Sequence, residues 1–463
     1  MGTSSPELFL ALDRSRPRGL RAQIEDELRT AIRSGRLSAG SPVPSTRALA
    51  ADLNVTRKVV VEAYDQLIAE GYLLARQGAR TIAIGAPPRP ATADHRTVVA
   101  RGVAVDFRPG RPDLDLFPRT AWSRATRAAL RAMTADELTD DDPRGLPGLR
   151  SALAEYLGRV RGVSADPERI IVCAGFGHGF DLILDPLTGL GHDRFAVEDP
   201  GYPGPRRRLL AAGLPFDAIP VDGAGLDVER LRGSAARVVV VTPAHQSPTG
   251  VVLPPGRRQR LLEWARAVDG YVVEDDFDAE YRYDRRPVGA LQGIDPERVV
   301  YGGTTSKTLA SGLRLGWLVL PAALVEPIVA RRRLTDGATS TPLQASFAEF
   351  LRAHDLDRHL RRVRPIYRRR RDALLAALHR ELPEATVHGV AAGLNVLVTL
   401  PAGVTEEAVV TAALAAGVRV HPLGGFRAGT GSDDPPGLVL GYGSVTPGAA
   451  ELGVRRLAAA IRG

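Results

Sequence analysis

The sequence contains almost no lysine, a single cysteine and no long apolar segment. The cysteine, Cys173, excludes an internal disulfide and favours a reducing compartment, and we expect it to fill the end of a strand. No apolar run approaches the ~20 residues that cross a membrane, and the first residues lack the basic and apolar regions of a secretory signal. We therefore expect a cytoplasmic protein without a membrane-spanning segment.

Lysine is scarce although the chain is basic. Only Lys58 and Lys307 among the 61 basic residues are lysine, and the formal net charge is +8. Residues 1–101 hold 15 basic and 10 acidic residues, so an excess of five positive charges lies in under a quarter of the chain. This asymmetry favours a polyanionic partner for the N-terminal part. The length of 463 residues predicts more than one domain.

The pattern of residues 1–84 predicts a winged helix-turn-helix. Apolar residues recur at i,i+4 spacing from Leu20 to Ile32, as in an amphipathic helix, and two short helices follow with Ser45 and Thr56 as N-caps. Two short helices joined by a tight turn are typical of a helix-turn-helix. The runs YLLAR and ARTIAI flank the turn QG and predict a hairpin, the wing.

The polar and basic residues of this part lie where such a fold contacts DNA. The second helix begins TRK, so its first turn presents Arg57 and Lys58 to base edges and phosphates. The predicted DNA-binding residues are Arg47, Thr56, Arg57 and Lys58 on the helices, and Gln77, Gly78 and Arg80 at the wing tip. A three-helix module for protein contacts is the alternative. The stretch GRLSAGSPVPSTRALAADLNVTRKVVVEAYDQLIAEGYL and the wing RQGART resemble the GntR regulator family, which implies a double-stranded DNA operator as partner.

A linker and a larger body follow. Residues 85–103 are rich in proline and alanine without periodicity, which is typical of a linker. From residue 104 onward, β-rich runs such as RIIVCAG, ARVVVVTP and GYVVEDD alternate with helix-like stretches. This predicts an α/β fold with a mainly parallel sheet covered on both faces, over about residues 120–330, and a smaller α+β subdomain over about 331–463. In such sheets the ligand lies beyond the carboxyl ends of the strands.

Lys307 is the position in this body that arginine cannot fill if the site binds an aldehyde. A Schiff base needs a primary amine that can lose its proton, and a guanidinium cannot do so. Pyridoxal 5′-phosphate needs such a lysine, an anion site and a carboxylate for its ring nitrogen. Asp275 ends a strand and supplies the carboxylate, and Thr304, Ser306 and Arg314 lie beside the lysine in sequence. The glycine-rich turn AGFGHG opens a helix and offers N–H groups to an anion.

The order of these segments resembles fold-type I aminotransferases, through the motifs EDPGY, TPAHQSPTG, VVEDDFD and GGTTSKTLASGLRLGW. With the winged helix, the chain resembles the MocR/GabR-type subfamily of GntR regulators, in which an aminotransferase-like domain senses ligands. The resemblance implies a homodimer, and a site in which Lys307 is the catalytic Schiff-base lysine, Asp275 holds the pyridinium nitrogen and Tyr202 stacks on the ring. The implied phosphate contacts are Gly175, Phe176, Gly177, Thr304, Ser306 and Arg314; whether His178 joins them is open.

Four positions depart from that family pattern. Phe277 replaces the tyrosine that hydrogen-bonds the 3′-oxygen of the cofactor, and Ser247 stands at the cofactor-binding asparagine before Pro-Thr-Gly. Asp140 replaces the tyrosine that reaches the partner subunit's phosphate, and Val439 replaces the arginine that binds a substrate carboxylate. The arginines near enough in sequence to substitute are Arg419 and Arg427. We expect these departures to weaken amino-acid turnover more than cofactor binding.

Three functions therefore remain open. The favoured one is a DNA-binding regulator that binds pyridoxal phosphate through Lys307 and senses the cofactor or an amine-bearing effector. A second is a regulator of the same fold that has lost the cofactor, and a third is an active aminotransferase that also binds DNA. The sequence specifies neither the operator nor the effector.

Overall fold

The computed structural model describes residues 10, 12–14, 19–75, 80–84, 102–139, 142–283, 288–401, 403–429 and 435–462. The chain forms two compact units, Met1–Arg101 and Gly102–Gly463. Gln77, Gly78, Asp140 and nearly all of the predicted linker lie outside the described residues. Within the described part, no helix is both long and apolar enough to cross a bilayer.

The N-terminal unit has the helices and hairpin that the sequence predicts. Its elements are α1 Leu20–Arg33, α2 Thr46–Asp52, α3 Arg57–Ala69, β1 Leu73–Leu74 and β2 Ile82–Ala83, the two strands being antiparallel. The Ser45 hydroxyl caps α2 by accepting a 3.1 Å hydrogen bond from the Ala48 amide. Thr56 precedes α3 as predicted, but its side chain makes no capping hydrogen bond. Asn54 takes a left-handed conformation, φ 50°, in the turn between α2 and α3.

The second unit is built on an eight-stranded sheet. Its strands, in spatial order, are β4 Ile170–Cys173, β11 Gly316–Val319, β10 Val299–Thr304, β9 Tyr271–Asp275, β8 Val238–Val241, β5 Phe195–Asp199, β6 Phe216–Asp222 and β7 Gly225–Leu226. Strands β10, β9, β8, β5 and β6 run parallel, and β11 and β7 are antiparallel to their neighbours. The predicted mainly parallel sheet is therefore confirmed.

Both faces of this sheet are buried. Alternate residues of β4 enter different apolar clusters, Ile170 and Val172 one and Ile171 and Cys173 the other, as the two-residue period of a strand requires. The helices that accompany the sheet are α4 Arg119–Ala132, α5 Pro147–Arg161, α6 Phe176–Gly189, α7 Pro203–Ala211, α8 Val228–Arg232, α9 Pro255–Ala267, α10 Ala322–Arg333 and α11 Thr341–Arg352. Cys173 fills a strand end as expected, and burial raises the pKa of its thiol to about 12.

A second, smaller layer lies at the other end of the unit. Its antiparallel sheet has the order β12 Thr386–His388, β13 Asn395–Thr399, β16 Gly437–Gly441 and β15 His421–Pro422, and its helices are α12 Asp355–Glu381, α13 Glu406–Ala415 and α14 Pro447–Arg462. A short parallel pair joins β3 Val105–Asp106 to β14 Val418–Arg419, 313 residues apart in sequence, which the sequence did not indicate. The division of the body near residue 330 stays a prediction, and α11 packs on α4 and α5 beyond it.

Candidate DNA-binding surface and ligand site

The first turns of α2 and α3 present the predicted DNA-binding side chains to solvent. Arg47, Thr56, Arg57 and Lys58 are exposed, and so is Arg80 beside the wing. The Arg57 guanidinium donates to the Thr46 hydroxyl at 3.4 Å, which brings the N-terminal ends of the two helices together. The first turn of a helix leaves backbone N–H groups unpaired, so this surface combines positive side chains with donors that suit phosphate.

In the body, five parallel strands end at one edge of the large sheet, and the segments predicted to bind the cofactor follow them. These segments are Ala174–Gly177 after β4, Pro200–Tyr202 after β5, Thr242–Ser247 after β8, Asp275 at the end of β9, and Thr304–Lys307 after β10. The sheet therefore gathers at its carboxyl edge residues that are up to 133 positions apart in sequence. This is where α/β folds bind ligands.

Lys307 lies on a short π-helical turn, Ser306–Ala310. Its Nζ donates a 2.8 Å hydrogen bond to the Gly110 carbonyl. Burial lowers the pKa of the Lys307 amine, against the raising effect of the Asp278 and Asp275 carboxylates. A desolvated amine with a lowered pKa spends more time neutral, which is the nucleophilic form.

Asp275 has the least satisfied carboxylate at this edge. It is buried, and its Oδ1 has no hydrogen-bond partner within the described structure. Burial raises the pKa of Asp275 well above its usual range, although Lys307 lowers it. A buried acceptor without a donor is costly, so this atom calls for an N–H group that the residues described by the structure do not provide.

The glycine-rich turn meets the predicted phosphate contacts. Gly175 has φ 97°, and a Cβ on it would lie 3.8 Å from both Arg314 Nη1 and Thr304 Oγ1, so these groups surround its open side. The hydroxyls of Thr304 and Ser306 are hydrogen-bonded at 2.9 Å. Gly175 immediately precedes α6, whose first N–H groups face this opening. Together they form a concave donor site for an anion.

Two further glycine-turn residues have defined places. Phe176 is buried and packs against Gly302, while a side chain on Gly177 would collide with the Arg208 guanidinium. His178 is not directed at the opening, because its Nδ1 accepts a 3.0 Å hydrogen bond from the Ala174 amide and its Nε2 lies 3.5 Å from Asp336. Of the two roles left open for His178, its contacts fit the position at the start of the helix.

Tyr202 and Asp275 share the wall of a small cavity with Thr242 and Glu198. The Tyr202 ring is half exposed, and burial of its hydroxyl raises the pKa of the phenol. The Ser247 amide donates to the Thr242 hydroxyl at 3.1 Å. Ser247 therefore belongs to the frame of the site through its backbone.

The departures Phe277 and Val439 have clear structural surroundings. The Phe277 ring lies 6.2 Å from the His245 ring. Val439 is fully buried in an apolar cluster with Leu397, Leu423 and Phe426. An arginine in place of Val439 would bury its charge among these apolar side chains. This part of the strand is therefore unsuited to binding a carboxylate ligand.

The two arginines considered as substitutes are engaged elsewhere. Arg419 lies 3.4 Å from the Asp106 carboxylate, and Arg427 donates to the Pro435 carbonyl at 2.9 Å. Arg427 directly follows Phe426 of the cluster around Val439. The hypothesis of a nearby replacement arginine stays a prediction.

Sequence reasoning missed several polar residues of this edge. Glu198 accepts hydrogen bonds from the Thr242 amide and hydroxyl and from Gln246 Nε2, at 3.2, 2.7 and 3.2 Å, and burial raises its pKa to about 7. Asp278 lies 3.0 Å from His245 Nδ1. The motifs EDP, AHQ and DFD contain these residues, so the buried polar letters inside an apolar strand context were the available signal.

Another buried ion pair stabilises the residue that follows β9. The Arg161 guanidinium donates to both oxygens of Asp276 at 2.7 and 3.1 Å, and the Tyr301 hydroxyl donates to Asp276 Oδ2 at 2.6 Å. Asp276 directly follows Asp275. Its paired charge fixes the backbone that carries the unpaired carboxylate.

Two family models match the chain. Residues 20–82 match the bacterial regulatory proteins of the gntR family, and residues 111–435 match aminotransferase class I and II. Among solved structures, the body is similar to a kynurenine aminotransferase of Pyrococcus horikoshii in complex with PMP, with a TM-score of 0.72, 28% identity and coverage of 79% of this chain and 92% of that one. It is also similar to LysN, an α-aminoadipate aminotransferase of Thermus thermophilus, with a TM-score of 0.70, 28% identity, and coverage of 78% and 92%.

Full-length relatives combine both parts. The probable rhizopine catabolism regulatory protein MocR of Rhizobium meliloti is 33% identical over 98% of this chain and 96% of its own length. The pyridoxine biosynthesis transcriptional regulator PdxR of Corynebacterium glutamicum is 33% identical over 95% of both chains. The chain therefore belongs to the GntR family of bacterial transcription regulators, in the MocR/GabR-type subfamily that joins a winged helix-turn-helix to an aminotransferase-like domain.

Proposed function

We propose that this transcription regulator binds pyridoxal 5′-phosphate at the carboxyl edge of its large sheet, through Lys307, and changes its operator binding in response. The observation that carries the proposal is the buried Asp275 Oδ1 without a donor, at the same edge as a desolvated lysine amine. A protonated pyridine nitrogen is the donor that this carboxylate requires. The match between the Asp275 carboxylate and the pyridine nitrogen rests on the chemistry of the site and not on the family to which the chain belongs.

The residues present suit the three parts of the group. Lys307 would hold its aldehyde carbon, Asp275 its ring nitrogen and Tyr202 one face of its ring. The phosphate would be held by the turn Gly175–Gly177 with Thr304, Ser306 and Arg314. When bound, pyridoxal phosphate supplies an aldehyde carbon that reacts reversibly with primary amines.

The chain's own groups prepare this chemistry. Burial favours the neutral Lys307 amine, and the Gly110 carbonyl orients its Nζ by accepting a hydrogen bond. A side chain on Gly110 would contact Nζ at 2.6 Å, so this position must lack one. Glu198 accepts hydrogen bonds from Thr242 and Gln246, and Gln246 also donates to the Pro200 carbonyl, so these bonds link the loops that carry Tyr202 and Ser247.

Sensing, rather than transamination, is the activity that we assign to the body. Phe277 gives the 3′-oxygen no hydroxyl, and Val439 lies in an apolar cluster where a carboxylate would be desolvated without a partner. The similarity to a regulator of pyridoxine biosynthesis supports the cofactor itself as the molecule that the protein senses. In the second version of the proposal, the protein senses an amine-bearing effector. We propose that the protein acts as a homodimer in the cytoplasm, where it binds paired half-sites.

Absorption spectroscopy tests cofactor binding. The purified chain is mixed with pyridoxal phosphate, its spectrum is recorded before and after borohydride, and the reduced protein is mapped by peptide mass spectrometry. The proposal expects a yellow protein with the reduced label on Lys307. Lys58 is the internal control, because it is the other lysine of the chain and is fully available to non-specific labelling. A colourless protein, or label divided between both lysines, would contradict the proposal.

A cofactor-free regulator is the second candidate, favoured by Phe277, Ser247 and Asp140 at positions where the family pattern has cofactor-binding residues. It predicts that pyridoxal phosphate leaves both the spectrum and the operator affinity unchanged. An amino-donor screen with an oxo-acid acceptor separates both regulators from an active aminotransferase, which would turn over at least one pair.

A further inference from the structure

A second cavity lies between the end of α5 and the beginning of α12. It has a volume of about 490 Å³, which is within the range that small-molecule ligands occupy. Its lining residues are Tyr156, Arg159, Val160, Arg161, Glu280, His354, Asp357, Leu360, Arg361 and Arg364. None of the motifs or comparisons assigns a role to this cavity.

The charges of the cavity do not balance. Asp357 is paired with Arg159 at 2.7 Å, and Arg161 is paired with Asp276. Arg361 is exposed and makes no ion pair or hydrogen bond within the described part of the chain. Positive charge thus remains in excess at the cavity mouth.

The remaining acidic group reduces this excess little. Arg364 binds the backbone carbonyl of Glu280 through Nε at 2.7 Å, so that contact does not neutralise the guanidinium. Burial, together with the nearby Asp276 carboxylate, raises the pKa of the Glu280 carboxyl, and Arg161 opposes this rise. A raised pKa favours the uncharged form of the carboxyl, so Glu280 offsets the arginines less than an exposed carboxylate would.

A buried hydroxyl at the wall of the cavity lacks a partner. Tyr156 is 4% exposed, and its hydroxyl has no hydrogen-bond partner among the described residues. Burial raises the pKa of this phenol well above its usual range, so the group is an O–H donor. A buried donor without an acceptor among the described residues is free to donate to an oxygen of a bound molecule.

We propose that this cavity binds a small oxyanion, a carboxylate or phosphate compound, with Arg361 and Arg364 meeting its charge and the Tyr156 hydroxyl donating to one of its oxygens. Val160 and Leu360 line the remaining wall and suit a short apolar body. The site is separate from the proposed cofactor site, which uses Lys307 and Arg314, and it does not depend on cofactor binding.

Calorimetric titration of the full chain tests the site, with inorganic phosphate and succinate as probes at constant ionic strength set with sodium chloride. The proposal expects saturable binding of at least one probe, with one site per chain in this cavity. Phosphate binding alone assigns phosphate compounds, and succinate binding alone assigns carboxylates. Failure of both probes to bind overturns the proposal.

Two substitutions locate the binding. Arg361→Gln and Tyr156→Phe should each weaken it about tenfold, the usual loss for a hydrogen bond to a charged group. Arg369→Gln is the matched control, because Arg369 is exposed on the same helix outside the cavity. Equal weakening by Arg369→Gln and Arg361→Gln would reveal a general charge effect and overturn the site.

The proposed cofactor site is also an anion site, so it needs its own control. Inorganic phosphate should also bind that site when it lacks the cofactor, so the Arg361→Gln titration is repeated with Arg314→Gln as the background, where the loss caused by Arg361→Gln should persist. Loss of binding in Arg314→Gln but not in Arg361→Gln would move the probe to the cofactor site and overturn this inference. Because Tyr156 is buried, circular dichroism checks the fold of Tyr156→Phe, and the exposed Arg361 keeps the test decisive if that variant unfolds.

Discussion

The two lysines of this chain lie in opposite surroundings. The Lys58 side chain is 84% exposed at the first turn of α3 and lies 3.9 Å from the Glu62 carboxylate. Lys307 is held against the Gly110 carbonyl at the edge of a buried sheet, where burial lowers the pKa of its amine. Lys58 therefore presents a positive charge to solvent, whereas the surroundings of Lys307 favour its neutral, nucleophilic amine.

The difference separates two uses of a basic residue. On the DNA-binding surface, positive charge and hydrogen-bond donors are what a phosphate needs, and arginine supplies both. At the sheet edge, the amine must lose its proton, and arginine cannot replace lysine there. A sequence that uses arginine at 59 of its 61 basic positions makes this contrast visible.

The largest effect should come from exchanging the two lysines for arginine, one at a time. Lys307→Arg should abolish the borohydride-fixed pyridoxyl label completely, because a guanidinium forms no Schiff base at neutral pH. Lys58→Arg is the matched control and should keep the full label. Peptide mass spectrometry measures both, and a label that survives Lys307→Arg would end the contrast between the two lysines.

On the exposed side of the comparison, Arg57→Gln should weaken operator binding by about 1–3 kcal/mol if the side chain reads a base. If Arg57 instead contacts a phosphate, the slope of the logarithm of the binding constant against the logarithm of the salt concentration should fall in magnitude by about one. Fluorescence anisotropy across a salt series distinguishes the two. Arg36→Gln is the control, because Arg36 is exposed in the same unit but is distant in sequence from the first turns of α2 and α3. An equal loss of affinity in this variant would mean that Arg57 acts only through the net charge of the unit.

On the enclosed side, Phe277→Tyr should strengthen cofactor binding about tenfold, because it restores a donor to the charged 3′-oxygen. Phe277→Leu, which changes the ring without adding a hydroxyl, should show no such gain. Spectroscopic titration with pyridoxal phosphate gives both dissociation constants. Equal affinities for Tyr and Phe at this position would mean that the ring does not reach the cofactor.

A separate effect, on stability and not on binding, concerns pH and the buried Glu198. Its folded pKa of about 7 is raised above the ordinary value, so the folded state takes up a proton. The wild type should therefore lose stability relative to Glu198→Gln as pH rises from about 4.5 to about 7, by at most about 1.4 kcal/mol per pH unit, and the difference should stay constant above pH 7. Thermal unfolding of the cofactor-free proteins at pH 5, 6, 7 and 8 measures it; parallel curves would contradict it.

Most of the fold could be predicted from local patterns in the sequence. The helices of the N-terminal unit follow from apolar spacing and the Ser45 cap, and the strands of the large sheet follow from apolar runs bounded by Gly, Pro or Asp. The gathering of Asp275, Tyr202 and Lys307 at one edge follows from parallel strand order. These features depend on residues that are close in sequence or on a general rule for sheets.

What the sequence could not predict depends on distant contacts. Gly110 is 197 residues from Lys307, and a glycine in a loop carries no periodic signal. The pairing of β3 with β14 involves two residues on each side, too few for a strand pattern. The unpaired state of Asp275 Oδ1 depends on which donors the fold fails to bring near it, and only three-dimensional structure contains that information.

The long helix α12 connects both layers of the body. Its 27 residues extend about 40 Å. Near its start, the His359 imidazole donates to the Thr308 carbonyl at 3.0 Å, one residue from Lys307, while further along Arg370 binds Asp113 at 2.6 Å. Between these contacts Pro365 removes one helical hydrogen bond. One continuous helix therefore links the backbone beside Lys307 to Asp113, near the start of the body.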